Sequence, residues 1–265
     1  MDIPILYEDD VMLVINKPPG VVVNRAQSVK GETLQDWAEE KILNPKFKFQ
    51  NKFEDQNIKD QNDLGFRNLD LEFYQRAGIV HRIDKETSGC LLIAKTPQAF
   101  VELQRQFKER MVKKTYLAIV HGILVPQEGE IRAPVGRLPW NRERFGIVPG
   151  GREAVTRYRV HRSWFMVHGK TKQEITLVEL FPETGRTHQI RIHLKYINHP
   201  IVGDYLYAGR KTSRDDRLWA PRTMLHAWKI TCIHPTLGTP LAIEAPIPDD
   251  MNRIITQSAN NPIYK

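Results

Sequence analysis

The chain has 265 residues, 41% of them hydrophobic and 26% charged, with a formal charge of +8. No apolar run approaches the roughly 20 residues that span a bilayer, and the start MDIPILYEDD has no basic segment ahead of an apolar core, so neither a membrane anchor nor a secretory leader is expected. Cys90 and Cys232 each lie in an apolar stretch and read as small buried hydrophobes, which suits a cytoplasmic setting, while the basic balance, with a pI near 9.4, points to a polyanionic partner.

In chain order, residues 5–15 predict a short strand, an acidic turn and a second strand, with Val11–Ile15 continuous enough to be buried on both faces. The Pro19-Gly20 pair of NKPPG then forms a turn; Lys17, just before it, reads by itself as a surface lysine. A helix is predicted within Gly31–Leu43, capped by Thr33, with Leu34, Trp37, Ala38 and Ile42 near one face. Lys46–Gln75 has no sustained period and reads as a flexible surface insertion carrying scattered phenylalanines.

His81–Gly89, HRIDKETSG, packs two basic side chains, two carboxylates and two hydroxyl residues ahead of the apolar run Cys90–Ala94. Charged groups beside a buried strand are costly unless paired, which makes Asp84 a candidate catalytic carboxylate; the plain alternative is a solvated turn. Thr96-Pro97 opens a helix whose buried stripe is Phe100, Leu103, Phe107 and Met111. Its outer face is basic and leads into the strand Thr115–Val120, which carries Tyr116. Gly122–Gly151 reads as short strands and turns, with Arg132, Arg137, Arg142, Arg144 and Arg152 suited to phosphates. Ala154–Arg162 alternates as an edge or half-buried strand, and Ile175–Phe181 is another. In Pro182–Ile197 a turn leads into a helix with Thr187 as its cap and Arg191 on one face. His199–Asp204 reads as a turn and Ser213–Asp216 as an exposed loop. Leu225–Ile233 and a final strand in HPTLGTPLAIEAP close the chain. Strands outnumber helices without regular βα alternation, so the expected class is α+β in one domain, residues 1–265.

Several chemistries fit these residue types unequally. His188 and His193 are five apart, which turns them onto different faces of a helix, and there is no CxxC, so no metal site is expected. GxGxxG, GxxxxGK[ST] and GxSxG are all absent, leaving GRTH at 185–188 as a generic anion turn. What remains is a lone carboxylate working with an arginine and a tyrosine in a basic cleft. Aspartate is an oxygen nucleophile or base without a metal, and an adjacent arginine keeps it ionised. That reading needs Asp84, Tyr116 and Arg191 to converge, which spacing alone does not show. An RNA-binding or assembly factor shares the basic surfaces without requiring all three.

Five segments in order carry a resemblance: YEDDVMLVINKPPGVVV at 7–23, HRIDKETSG with the LLIAKT that follows, KKTYLAIVHG at 113–122, ETGRTHQIRIHLKYINHPIVGDYLY at 183–207 and MLHAWKITCIHP at 224–235. Together they resemble the RluA family of pseudouridine synthases, with Ile83 where that family usually has leucine. The resemblance implies an α+β catalytic domain with one continuous, mixed, mostly antiparallel sheet. It forms two half-domains flanked by helices and loops around a central active-site cleft. It also implies that Asp84 is the catalytic residue, that Tyr116 packs on the target base and takes a late proton, and that Arg191 pairs with Asp84. Arg82, which displaces the flipped base, joins His81, Arg186 and Leu225 on the substrate side. The reaction implied is isomerisation of uridine to pseudouridine in ribosomal RNA of the large subunit, in transfer RNA, or in both. Atoms are conserved, so no cofactor is expected. The expected enzyme is a cytoplasmic monomer with RNA as partner, no obligatory protein partner and no N-terminal accessory RNA-binding domain.

Overall fold

A computed structural model describes residues 1–26, 29–42, 71–169 and 171–257. Its frame is a nine-stranded sheet. The strands are β1 (Ile5–Glu8), β2 (Met12–Lys17), β3 (Ser88–Ala94), β4 (Lys113–His121), β5 (Glu128–Arg132), β8 (Val155–His168), β9 (Thr171–Pro182), β10 (Leu225–Ile233) and β11 (Pro240–Glu244). They run in the spatial order β1-β2-β3-β10-β4-β9-β8-β5, with β11 also on β10. A separate hairpin pairs β6 (Val135–Leu138) with β7 (Asn141–Ile147). Among the described residues the strands are accompanied by helices α1 (Leu34–Ile42), α2 (Pro97–Lys108), α3 (Gln189–Tyr196), α4 (Arg210–Asp216) and α5 (Asp249–Thr256), beside the helical residues 71–75. The class is therefore α+β with a mixed, mostly antiparallel sheet, as expected.

The continuous apolar character of β2 and β3 has a physical cause. Leu13, Ile15, Leu91 and Ile93 enter one core, while Met12, Val14, Cys90, Leu92 and Ala94 enter another with Phe100 and Leu103 of α2. Both faces of these strands are thus covered, which removes the polar alternation of a one-sided sheet. Thr96 caps α2 by accepting the Ala99 N–H at 3.2 Å, with Pro97 in the first turn. The helix stops at Lys108 and Arg110 adopts φ 60°, so Met111 is exposed instead of continuing the stripe. β8 lies between β9 and β5, not at an edge. It is half-buried as expected, and two of its exposed arginines are spent on ion pairs: Arg157 with Glu130 and Glu183, Arg159 with Glu128.

Three further expectations change. Ser213–Asp216 belongs to α4, where both end residues are buried. The segment has no apolar stripe because it is held by polar contacts: Asp216 accepts the Gly203 N–H and the His121 ring, each at 2.9 Å. Thr187 is exposed and does not cap α3; Gln189 closes that turn by accepting from the Arg186 N–H at 3.0 Å and the Thr184 hydroxyl at 2.6 Å. Of the Lys46–Gln75 segment, residues 46–70 lie outside the described residues, while 71–75 are helical and pack Phe73 edge-on against Phe100.

β3 and β10 form the parallel junction at mid-sheet, with Ser88 opposite His226 and Gly89 opposite Ala227. Gly89 has φ +109°, and a Cβ there would lie 2.2 Å from the Ala227 carbonyl oxygen. Only glycine permits that approach. The Gly89→Ala variant is expected to lose about 3 kcal/mol or more from strain and forced separation of the strands, read as a lower denaturation midpoint with an unchanged slope.

Candidate active site

Asp84 stands in the loop leading to β3, and this loop is fastened from several directions. Its own turn closes through the Thr87 N–H on the Asp84 carbonyl at 3.1 Å. Lys17 is fully buried, and its ammonium donates to the carbonyls of Pro18, Val21 and Lys85 at 2.8, 2.9 and 3.0 Å. The NKPPG turn is thereby pinned to the Asp84 loop. Burial and Arg222 push the Lys17 ammonium down to about 7, against the opposing pull of Asp84. Glu86 accepts from Arg217, from the Thr223 N–H and from the Thr223 hydroxyl. Arg222 donates to the Glu86 carbonyl at 3.1 Å and grips Asp250 of α5 at 2.7 and 3.0 Å.

The partner of Asp84 comes from α3. Arg191 is buried and donates to both oxygens of the fully buried Asp204, at 2.7 and 2.8 Å. Its remaining Nη1 reaches Asp84 Oδ2 at 3.1 Å. The guanidinium also stacks over Tyr207, 5.0 Å from the ring centroid. The fork geometry of arginine suits this double duty, since one edge is fixed bidentately and the other points at Asp84. Asp204 itself is held by the N–H groups of Leu206 and Tyr207 at 3.0 and 3.2 Å.

Asp84 opens into a cleft of about 530 Å³. All seven residues expected at the site line it: Asp84, Tyr116, Arg191, Arg82, His81, Arg186 and Leu225. Tyr116 is buried on β4, and burial with the Asp84 charge holds its phenol well above the ordinary value. Leu225 opens β10 beside it. Arg82 is exposed and has no ion-pair partner among the described residues. Arg186 is tied to the Glu153 carbonyl at 3.2 Å. Lys108, Arg110 and Lys114 add positive charge to the wall. The three nearby histidines go to three different places. His193 is buried on Thr156 and the Ala133 carbonyl, His199 bonds the His121 carbonyl, and His188 faces Asp84.

Sequence reasoning missed four supports. Lys17 is buried, not surface, because three carbonyls converge on it. Asp204 was hidden in a turn-like HPIVGD. His188 and Tyr207 carry no local pattern that distinguishes them from a helix start and an exposed loop. The single available signal was Asp204, an aspartate set directly after the apolar Ile201-Val202 and a glycine.

His81 serves the frame as well as the cleft. Its Nε2 accepts the Leu92 N–H at 2.9 Å and its ring lies 4.7 Å from Phe107, so the folded ring is neutral. Burial, with the charges of Lys114 and Arg76, pushes it down to about 3 from an ordinary 6.5. Between those values the unfolded chain binds a proton that the folded chain refuses, so stability falls as pH drops through that window. His81→Gln keeps an acceptor for Leu92 and removes the titration. Its acid limb, measured as unfolding free energy against pH, is expected to be shallower by up to about 1.4 kcal/mol per pH unit.

The site is thus a basic cleft across the middle of a mixed sheet, with one carboxylate held by a buried arginine. The structure titled "Human RNA Pseudouridylate Synthase Domain Containing 1" has this fold, with a TM-score of 0.66 at 24% identity over 98% of this chain and 96% of that one. A family model described as RNA pseudouridylate synthase matches residues 11–196. The "Ribosomal large subunit pseudouridine synthase D" of Nitrosomonas europaea is 38% identical over 97% of this chain and 66% of its own length. The protein of the same name from Xanthomonas campestris pv. campestris is 38% identical over 96% of this chain and 70% of its own. The chain belongs to the RNA pseudouridylate synthase family, and it spans about two thirds of the length of these curated relatives.

Proposed function

We propose that this protein isomerises uridine to pseudouridine in RNA, with large-subunit ribosomal RNA as the first substrate to test and transfer RNA as the second. The observation that carries the reading is the Arg191 bridge. One guanidinium is locked on a buried carboxylate and presents its free edge to Asp84, at the bottom of a basic cleft. The reaction detaches uracil from carbon 1 of the ribose, turns it and rejoins it through carbon 5. No atom is gained or lost, so no co-substrate is needed. Asp84 is the catalytic carboxylate, acting on the sugar or on the base, and Tyr116 packs against the uracil. A uridine in folded RNA reaches the cleft only when flipped out, and the exposed Arg82 fills the gap it leaves. His81, Arg186 and Leu225 border the bound nucleotide. The protein acts as a cytoplasmic monomer with RNA as its partner.

The test is a pseudouridine map of ribosomal and transfer RNA from cells with and without the gene. Loss of one or a few positions, restored by the wild-type gene, supports the assignment. Identical maps would overturn it.

A further inference from the structure

We propose that a second groove, opening off the active-site cleft over β9 and β8, binds the nucleotide next to the flipped uridine. Lys114 takes the phosphate that joins the two, and the Tyr158 hydroxyl donates to the phosphate that follows. This rests on the isomerase reading above and deepens it by naming where the flanking strand runs.

The groove has a volume of about 940 Å³ and is continuous with the cleft, since Arg110, Val112, Lys114, Pro182 and Glu183 line both. Its direction follows from the register of the sheet. Gly129 pairs with Tyr158, Tyr158 with Leu180 and Leu180 with Tyr116, so the four form one row across β5, β8, β9 and β4. Residues opposite one another in a sheet share a face. Tyr158 therefore points to the same side as Tyr116, two strands or roughly 10 Å further along. The next nucleotide of an extended strand covers that distance. Gly129 gives the ring its place, because a Cβ there would lie 2.6 Å from the Tyr158 hydroxyl oxygen.

The polar groups on this path suit a sugar-phosphate backbone. Tyr158 is only 7% exposed, yet its hydroxyl makes no hydrogen bond among the described residues. A hydroxyl so buried normally has a partner. Burial raises the phenol above its ordinary value, so it stands ready as a donor. Lys114 lies two residues before Tyr116 on β4 and so shares its face. Its ammonium is 3.7 Å from where a Cβ would stand on Gly185, at the junction of cleft and groove, and has no hydrogen bond or ion pair among the described residues. Arg110 adds an exposed cation there, on a turn that Lys113 holds by donating to the Arg110 carbonyl at 3.2 Å. The acids along the groove are already neutralised: Glu130 by Arg132 and Arg157, Glu183 by Arg157, and Glu128 by Arg159. The charge left over is positive and sits at the end that meets the cleft. Contacts of this kind position a nucleic acid without reading its sequence.

The test uses an RNA hairpin that the wild-type protein converts, with a neutral methylphosphonate placed at each linkage flanking the target in turn. Tyr158→Phe is expected to raise KM about 10-fold with kcat spared. Its melting temperature should stay level or rise slightly, because the lost hydroxyl bonds nothing in the free protein. Lys114→Gln is expected to raise KM by a similar factor. At the linkage joining the uridine to its neighbour, methylphosphonate should weaken wild type and add no further loss to Lys114→Gln; the following linkage should behave in the same way toward Tyr158→Phe. A Tyr158→Phe KM within about twofold of wild type would overturn the proposal. So would a lowered melting temperature in that variant, since the hydroxyl would then serve the fold, or losses that simply add at every linkage. If wild-type protein forms no pseudouridine in any RNA, the isomerase reading falls instead, and the groove is judged by the hairpin affinity of the same variants.

Discussion

Asp84→Asn is expected to abolish pseudouridine formation, with a rate at least about four orders of magnitude below wild type, and to leave the melting temperature within a few degrees. Asparagine has nearly the same shape and an oxygen that still accepts from Arg191, but an amide is neither a nucleophile nor a base at neutral pH. The side chain of Asp84 is 23% exposed, so the cost of the missing charge is softened by solvent. Arg191 does not become an orphan cation, because its bidentate bond to Asp204 is untouched. Activity and stability therefore separate. Single-turnover conversion of an RNA already shown to be a substrate, beside thermal unfolding, reads both. Conversion that persists in Asp84→Asn would remove Asp84 from the chemistry.

Arg191→Ala is expected to fail in both respects. It leaves Asp204, fully buried, with only the N–H bonds of Leu206 and Tyr207. Breaking a buried charge pair from one side costs about 3–5 kcal/mol, and the lost stacking on Tyr207 adds to that. Asp84 also loses the donor that orients it, so activity falls at temperatures where the variant is still folded. The double variant Arg191→Ala/Asp204→Asn separates the effects: neutralising the stranded carboxylate should recover stability but not activity. Chemical denaturation and single-turnover rates on both variants check this. Stability of Arg191→Ala within about 1 kcal/mol of wild type would contradict the buried bridge, since that is the scale of an exposed pair.

The ease of reading this chain varies with the range of the interactions. β2, β3, α2 and β10 were legible because their patterns are local: covered strands give unbroken apolar runs, and Thr96-Pro97 marks its own helix. α5 carried a comparable signal in Met251, Ile254 and Ile255, spaced along one face behind Asp249 and Asp250, and it was overlooked behind the final strand. α4 was not legible, since its buried Ser213 and Asp216 are polar and their partners lie elsewhere. In the cleft, Asp84 stood out by the density of functional side chains around it. Its convergence with Tyr116 and Arg191 came from family resemblance, because Arg191 bonds Asp84 across 107 residues of chain. Lys17 and Asp204 were missed for a related reason: a buried charge is recognisable only with its partners, and those come from other segments.

The parallel β3–β10 junction also sets a schedule. Ser88 and His226, hydrogen-bonded across it at 2.9 Å, are separated by 138 residues. A ribosome adding about 5–20 residues per second delivers the second strand roughly 7–30 s after the first. Throughout that interval the Asp84 loop lacks Arg222, Thr223 and the strand that closes against Gly89, and Arg191 itself arrives late. The newborn chain therefore carries Asp84 long before it holds the cleft, and the cleft is complete only once β10 has been made. A chain arrested before residue 222 would hold Asp84 without the contacts that fasten its loop.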